Sequence, residues 1–306
     1  MVKSPRNQLH GWIVLDKPLG ISSTQALGKV RWLLNADKAG HGGTLDPLAS
    51  GVLPLAFGEA TKTVAWAMDG RKTYRFRVKW GFETTTDDLE GATGPSSGLV
   101  AVQHEIEKAL PQFIGAVQQK PPSYSAIKIS GERAYDLARA GEVVDLAART
   151  VNIESLHIEN HDSAGETTFI VRCGKGTYVR SIARDLGRVL GCLGHVTLLR
   201  RLAVGPFSEK DAISLEMLEE LRNKPPSENS LSGILRPIET VLDGIPALAV
   251  MEPEAARLKQ GQKVPMEDIG VELPETEAVL VTHLGKPLGL FKIENRVLKA
   301  IRMFNL

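Results

Sequence analysis

Residues 73–80 alternate without interruption. Tyr74, Phe76, Val78 and Trp80 fall on one side, and Arg75, Arg77 and Lys79 fall on the other. A period of two with aromatic and β-branched residues on a single face describes a strand that buries one side and wets the other. Such a strand needs partners. Residues 12–15 (Trp-Ile-Val-Leu) read as a buried strand, and residues 150–157 and 167–173 as two more. Helical periods lie between them. Ser22 or Ser23 caps a helix carrying Leu27, Val30, Leu33 and Leu34. Residues 131–140 read as a helix bounded by Gly131 and Gly141. After the turn Gly174-Lys175-Gly176, a helix carries Ile182, Leu186, Val189 and Leu190 on one side and stops at Gly191. Arg180 falls in its first turn, a position from which its guanidinium and the positive helix end can act on the same anion. Strands and helices mix without strict βα alternation, so the expected class is α+β, a largely antiparallel mixed sheet flanked by helices.

The texture changes twice toward the C-terminus. Residues 223–233 are polar and rich in Pro and Ser and read as an exposed loop. From Pro246 onward, residues 279–281, 288–291 and 297–301 read as short strands, with a turn around Gly285-Lys286-Pro287. Either a small barrel or a plain sheet packed on the main body fits that pattern.

Charge is informative only when divided. The whole chain carries +1. Residues 1–80 hold 12 Lys/Arg against 5 Asp/Glu, a balance of +7, and residues 172–201 hold 7 against 1, a balance of +6. Residues 81–110 hold 1 against 6, a balance of −5. Basic segments offset by acid elsewhere form the footprint of a polyanion ligand, or equally two solvated surfaces. The only cysteines are Cys173 and Cys192, with no CxxC pair, which argues against a disulfide scaffold or a zinc site and fits a reducing cytoplasm. The first eight residues contain no apolar run of the secretory type, and apolar runs elsewhere are too short to span a membrane.

The segment from His41 to Pro54, HGGTLDPLASGVLP, sets one carboxylate, Asp46, among glycine, proline and small apolar residues. Gly42, Gly43 and Gly51 permit backbone angles that a β-carbon forbids, and Pro47 and Pro54 fix others. No second carboxylate follows until Glu59. A lone held carboxylate suits nucleophilic attack or the binding of a substrate cation or hydroxyl, and it also suits the capping of a turn.

Other segments keep this one company: DKPLGISS at 16–23, GEATK at 58–62, KTYRF at 72–76, KPPSYSA at 120–126 and GTYVR at 176–180. In this order and spacing the chain resembles the bacterial tRNA pseudouridine-55 synthases, the TruB-type family. The resemblance runs from about residue 10 to the C-terminus and is strongest between residues 11 and 205.

The resemblance implies a pseudouridine synthase fold over residues 1–245 and a small PUA-like RNA-binding β-barrel over 246–306. It implies isomerisation of uridine 55 in the T-loop of tRNA, with Asp46 as the nucleophile on a flipped-out base and no cofactor or metal. A buried carboxylate is driven toward its neutral form unless a cation compensates it, and by resemblance Arg180 is that cation. A planar fork can grip a carboxylate through two bonds. Tyr74 is implied to stack on the target uracil, with Leu199 on its other face and Tyr178 in contact with substrate. On the residues alone, all three are ordinary packing positions. His41 is implied to enter the RNA stem-loop in place of extruded bases, Asp88 to fix loop bases or the site, and Lys17 to support the loop around Asp46. Arg172, Lys175, Arg184, Arg188, Arg200 and Arg201, with the basic stretch 71–79, are candidates for phosphate contacts. The expected partner is the tRNA T-stem-loop. No protein partner is implied, and nothing demands more than a monomer.

Two other classes compete. A non-catalytic RNA-binding protein would use the same basic surface but gains nothing from a carboxylate set near phosphates. A hydrolase such as a nucleosidase would want a second carboxylate or a metal to activate water, and the sequence offers no cluster for either.

Overall fold

The structure is a computed structural model. It describes residues 6–306 except 126, 130, 141, 143 and 224–232. The expected polar loop at 223–233 and the helix stop at Gly141 therefore lie largely outside the described residues.

The main body is a nine-stranded sheet. Its strands are β1 (Gly11–Lys17), β2 (Ala39–His41), β3 (Ala49–Phe57), β4 (Lys72–Trp80), β5 (Gly115–Gln119), β6 (Arg149–His161), β7 (Glu166–Cys173), β8 (Gly194–Val204) and β9 (Phe207–Ser208). They run in the order β1-β3-β8-β4-β7-β6-β5, with β2 on β3 and β9 on β8. Every pairing is antiparallel except β3 with β8. The alternating strand is thus central: β4 lies between β8 and β7, with Phe76, Val78 and Trp80 buried and Lys79 exposed. That face packs with the helix Val179–Val189 through Val179, Ile182, Ala183 and Leu186. Val189, expected on the same face, is 53% exposed, while Leu190 beside it packs against that core.

The helix Ser23–Leu33 starts on a complete capping box. Ser22 accepts from Gln25 N–H, and the Gln25 side chain accepts from Ser22 N–H. Its Ala26, Val30 and Leu33 pack against β1 and β3. The helix expected over 131–140 is shorter, Ala134–Arg139, because Glu132–Arg133 is drawn into a two-stranded ladder with Lys128–Ile129.

β10 (Ala247–Ala249), β11 (Val264–Pro265), β12 (Thr276–His283), β13 (Lys286–Glu294) and β14 (Val297–Met303) form a second, five-stranded sheet. It is a curled half-barrel in the order β10-β12-β13-β14-β11, open at β10 and β11 among the described residues. Leu280, Leu290 and Phe304 of this unit share a core with Trp12, Val14, Ala56 and Phe207 of the main body.

The segment around Asp46 is not one loop. His41 ends β2 and residues 49–57 form β3, leaving only residues 42–48 as loop. Pro54 sits inside β3 on the edge between its β8 partner at 49–51 and its β2 partner at 55–57, where no strand calls for an N–H. Gly51 has a φ of +102°, and a β-carbon there would lie 2.2 Å from the Arg201 carbonyl oxygen. Gly51→Ala is therefore expected to force β3 and β8 apart and to cost about 2–3 kcal/mol, seen as a lowered thermal midpoint. A melting curve that superimposes on that of the wild type would show that this contact yields without strain.

Candidate active site

Asp46 stands in the loop between β2 and β3, and four separate side chains hold that loop. Ser23, in the first turn of its helix, accepts from Leu45 N–H at 2.8 Å and donates to Leu45 C=O at 3.0 Å. Lys17, at the end of β1 and fully buried, donates to the carbonyls of Pro18 and Ile21 at 2.8 Å each and reaches that of Pro47 at 3.5 Å. Arg201 donates to the carbonyls of Gly43 and Thr44 at 3.1 and 3.3 Å. Arg180 meets the carboxylate itself, Nη2 to Oδ2, at 2.8 Å.

Arg180 is held as firmly as the group it holds. It lies in the first turn of the helix Val179–Val189 and is 5% exposed. Nη1 donates to Thr86 C=O and Nη2 to Tyr124 C=O, both at 3.0 Å. Nη1 also lies 3.5 Å from the carboxylate of buried Asp88. The two-bond grip on Asp46 is absent: one arm of the fork faces Asp46 and the other faces Thr86 and Asp88. Burial alone would lower the pKa of Arg180, but Asp46, Asp88 and Asp87 outweigh it, and the net shift is upward. Asp88 is fixed in turn by the Thr86 hydroxyl and by Glu90 N–H at 3.0 Å.

A cleft of about 330 Å³ opens over this pair. Asp46, Tyr74, Tyr178, Arg180 and Leu199 all line it. Tyr74 comes from β4 and Leu199 from β8, both half-buried. Burial raises the pKa of the Tyr74 phenol, with Arg201 pulling the other way. Tyr178 precedes the helix. Its N–H donates to the Gln119 side chain at 2.8 Å, and its carbonyl accepts from the same amide at 3.0 Å. Arg149 lies over the Tyr178 ring, 5.1 Å from its centre. Asp69, Lys72, Arg149, Lys175 and Arg201 also line the cleft, so cations outnumber carboxylates around it.

Lys17, Asp88 and His41 sit outside the cleft lining, whereas Lys175, paired with Asp69 at 2.8 Å, and Arg201 are part of it. Lys17 lies beneath the loop and Asp88 behind Arg180. His41 ends β2, half-buried, with Nδ1 lacking a hydrogen-bond partner among the described residues and its pKa lowered by burial and by Arg201. Two candidates for phosphate contacts face inward instead. Arg201 is 1% exposed, and Arg184 is buried against Asp87 at 3.0 Å. Their partners lie far away in sequence, so the basic segment is partly interior. Arg172, Arg188 and Arg200 are paired with Glu154, Glu83 and Asp16.

The sequence does not single out Arg149 and Gln119, and it groups Lys72 with the basic stretch 71–79 as a phosphate contact, whereas Lys72 faces inward. Lys72 carried a signal. Its even position puts it on the same face as Tyr74 and Phe76, and it is buried, donating to Met68 C=O and to Gly70 C=O at 2.6 Å, with its pKa lowered to about 8 by burial.

Lys17 gives a pH test. Burial lowers its pKa to about 8, opposed by Asp46. Its unfolded value is near 10.4, so between these pH values the unfolded chain binds more protons. Stability from this group therefore rises with pH across that window and is lowest below about pH 8. Denaturant unfolding of wild type and Lys17→Met should diverge in favour of wild type from pH 8 to 10. Turnover of the variant should drop about tenfold through loss of the loop's donor. Parallel stability curves would contradict the assignment.

Comparison with known proteins places the chain. Residues 31–179 match the N-terminal domain of the TruB family pseudouridylate synthases, and residues 180–243 match the tRNA pseudouridylate synthase B C-terminal domain. The chain is 52% identical to the tRNA pseudouridine synthase B of Rhodopseudomonas palustris, covering 98% of this chain and 82% of that one. It is 45% identical to that of Brucella melitensis biotype 1, covering 99% and 98%. A chain in the crystal structure of a Cbf5-Nop10-Gar1 complex shares the fold at a TM-score of 0.75 and 24% identity, covering 97% of this chain and 85% of that one. Another, in an H/ACA RNP bound to a substrate RNA containing 2′-deoxyuridine, does so at 0.73 and 22%, covering 97% and 86%. These family matches and relatives make the chain a pseudouridine synthase, an isomerase. Within that class, the chain belongs to the TruB family. Among the described residues, no helix is long and apolar enough to cross a membrane, and no group of three or more His, Cys, Asp or Glu is placed to hold a metal ion.

Proposed function

We propose that this protein isomerises uridine 55 in the T-loop of tRNA to pseudouridine, with Asp46 as nucleophile and the target base flipped into the cleft. The observation that carries this reading is the 2.8 Å Asp46–Arg180 pair at a cleft lined by Tyr74 and Leu199. The names of the relatives support tRNA as the substrate.

The reaction breaks the C1′–N1 bond, turns the uracil, joins C1′ to C5, and moves one proton from C5 to N1. Atoms and electrons balance within the substrate. Attack by Asp46, on the uracil ring or on C1′, gives the loose base a route without an external reagent. Arg180 compensates the carboxylate before and after the step. Tyr74 and Leu199 take the two faces of the base, which offsets the few kcal/mol that extrusion from the stack costs. Tyr178 adds a further substrate contact, and His41 fills the place of extruded loop bases. Lys17 and Asp88 act through the groups they hold.

In this reading residues 1–245 are the catalytic unit and 246–306 a PUA-like RNA-binding unit. The same reading takes the protein to act as a monomer in the cytoplasm. The test is to map pseudouridine in an unmodified tRNA transcript after incubation with the protein. The expected product is pseudouridine at position 55 alone and none in a transcript with cytidine there. Modification elsewhere, or none, would overturn the position or the activity.

A further inference from the structure

Arg201 is a fully buried cation to which the reaction as described gives no task. Its guanidinium occupies a gap in the main sheet. On one edge β3 pairs with β8 through residues 49–51 and with β2 through 55–57. Between those partners the Val52 carbonyl accepts from Arg201 Nε at 2.8 Å. The two terminal nitrogens then cross to the loop, Nη2 to Gly43 C=O at 3.1 Å and Nη1 to Thr44 C=O at 3.3 Å. One rigid fork therefore ties β3 to the loop, two residues before Asp46.

Two glycines of left-handed backbone lie against Arg201. Gly51, at φ +102°, lets the Arg201 backbone approach β3, and Gly43, at φ +119°, would place a β-carbon 3.6 Å from Nη1. On its other side, Arg201 is the register partner of Tyr74 across β8 and β4, and both line the cleft. The same cation thus borders the loop bearing the carboxylate and the ring proposed to stack on the base.

We infer that Arg201 is a positioning residue that fixes the height of the Asp46 loop relative to Tyr74. This rests on the reading of Asp46 as the reacting group. Lysine keeps the charge but is a single point donor, so it cannot reproduce three bonds in fork geometry. A displacement near 1 Å at a reacting group costs about 100-fold in rate.

The test compares wild type with Arg201→Lys and Arg201→Met in three readouts: kcat and KM on unmodified tRNA, thermal midpoint, and hydrogen exchange of the loop amides at 42–48. The expected result for Arg201→Lys is kcat down about 100-fold and KM within about threefold. The midpoint should stay within a few degrees of wild type, and loop amides should exchange faster while those of β12 and β13 do not. Arg201→Met should share the kcat defect. A raised KM with kcat intact would overturn the inference and make Arg201 an RNA contact. A rate loss that merely follows the unfolded fraction would overturn it in favour of a purely structural role. Unchanged exchange at 42–48 would overturn it whatever the rates do. An inactive wild type would instead defeat the reading of the reaction, and the exchange data would still decide the role of Arg201.

Discussion

Asp46→Asn is expected to abolish turnover, lowering kcat by at least about 10⁴-fold, while leaving tRNA affinity within about threefold of wild type. Asparagine keeps the shape of the side chain and removes the nucleophilic oxygen. The fold should tolerate the change, because Arg180 retains Thr86 C=O, Tyr124 C=O and Asp88. Half-buried Asp46 is also not a packing residue, so the melting midpoint should barely move. Binding should survive because one carboxylate near phosphates contributes nothing favourable to it. Turnover within tenfold of wild type would remove Asp46 from the chemistry and leave the loop as a binding element.

Arg180→Met should produce the second largest effect, in both rate and stability. The substitution leaves buried Asp88 and half-buried Asp46 facing each other's charge without compensation, and leaves two backbone carbonyls without donors. Breaking a buried pair by removing one partner costs about 3–5 kcal/mol. The low end, about 3 kcal/mol, applies here, because the Asp46 side chain is 39% exposed and water screens it. The loss of a preorganised charge beside the reacting group adds a drop of about 10³-fold in kcat. Denaturant unfolding and single-turnover rates in the same buffer separate the two effects. A variant with normal stability and only a raised KM would show that Arg180 serves substrate binding rather than the carboxylate.

Much of this arrangement was legible in the sequence, and the reasons are physical. The alternation at 73–80 fixed which face of β4 is buried, since side chains on a strand have no freedom to do otherwise. The glycines and prolines around Asp46 announced a constrained segment, although the strand content of 49–57 was hidden by Pro54, which sits where its missing N–H costs nothing. The destination of each arginine was harder to read. Arg180, Arg184, Arg188, Arg200 and Arg201 look alike as a cationic segment. Arg201 turns inward only because Val52, Gly43 and Thr44 offer carbonyls about 150 residues away in sequence. Arg184 turns inward for Asp87, 97 residues away. Such long-range partners leave no local periodicity. Lys72 differs, since extending the strand parity of 73–80 by one residue puts it on the buried face alongside Tyr74, although its charge groups it with the basic stretch 71–79.

The most direct measurement is single-turnover release of tritium from tRNA whose uridines carry the label at C5, with protein in excess and binding measured in the same samples. The expected result is one equivalent released per bound tRNA by wild type and none by Asp46→Asn at equal occupancy. Release by Asp46→Asn at the wild-type rate, or none by wild type on bound tRNA, would contradict the central claim that Asp46 drives the isomerisation.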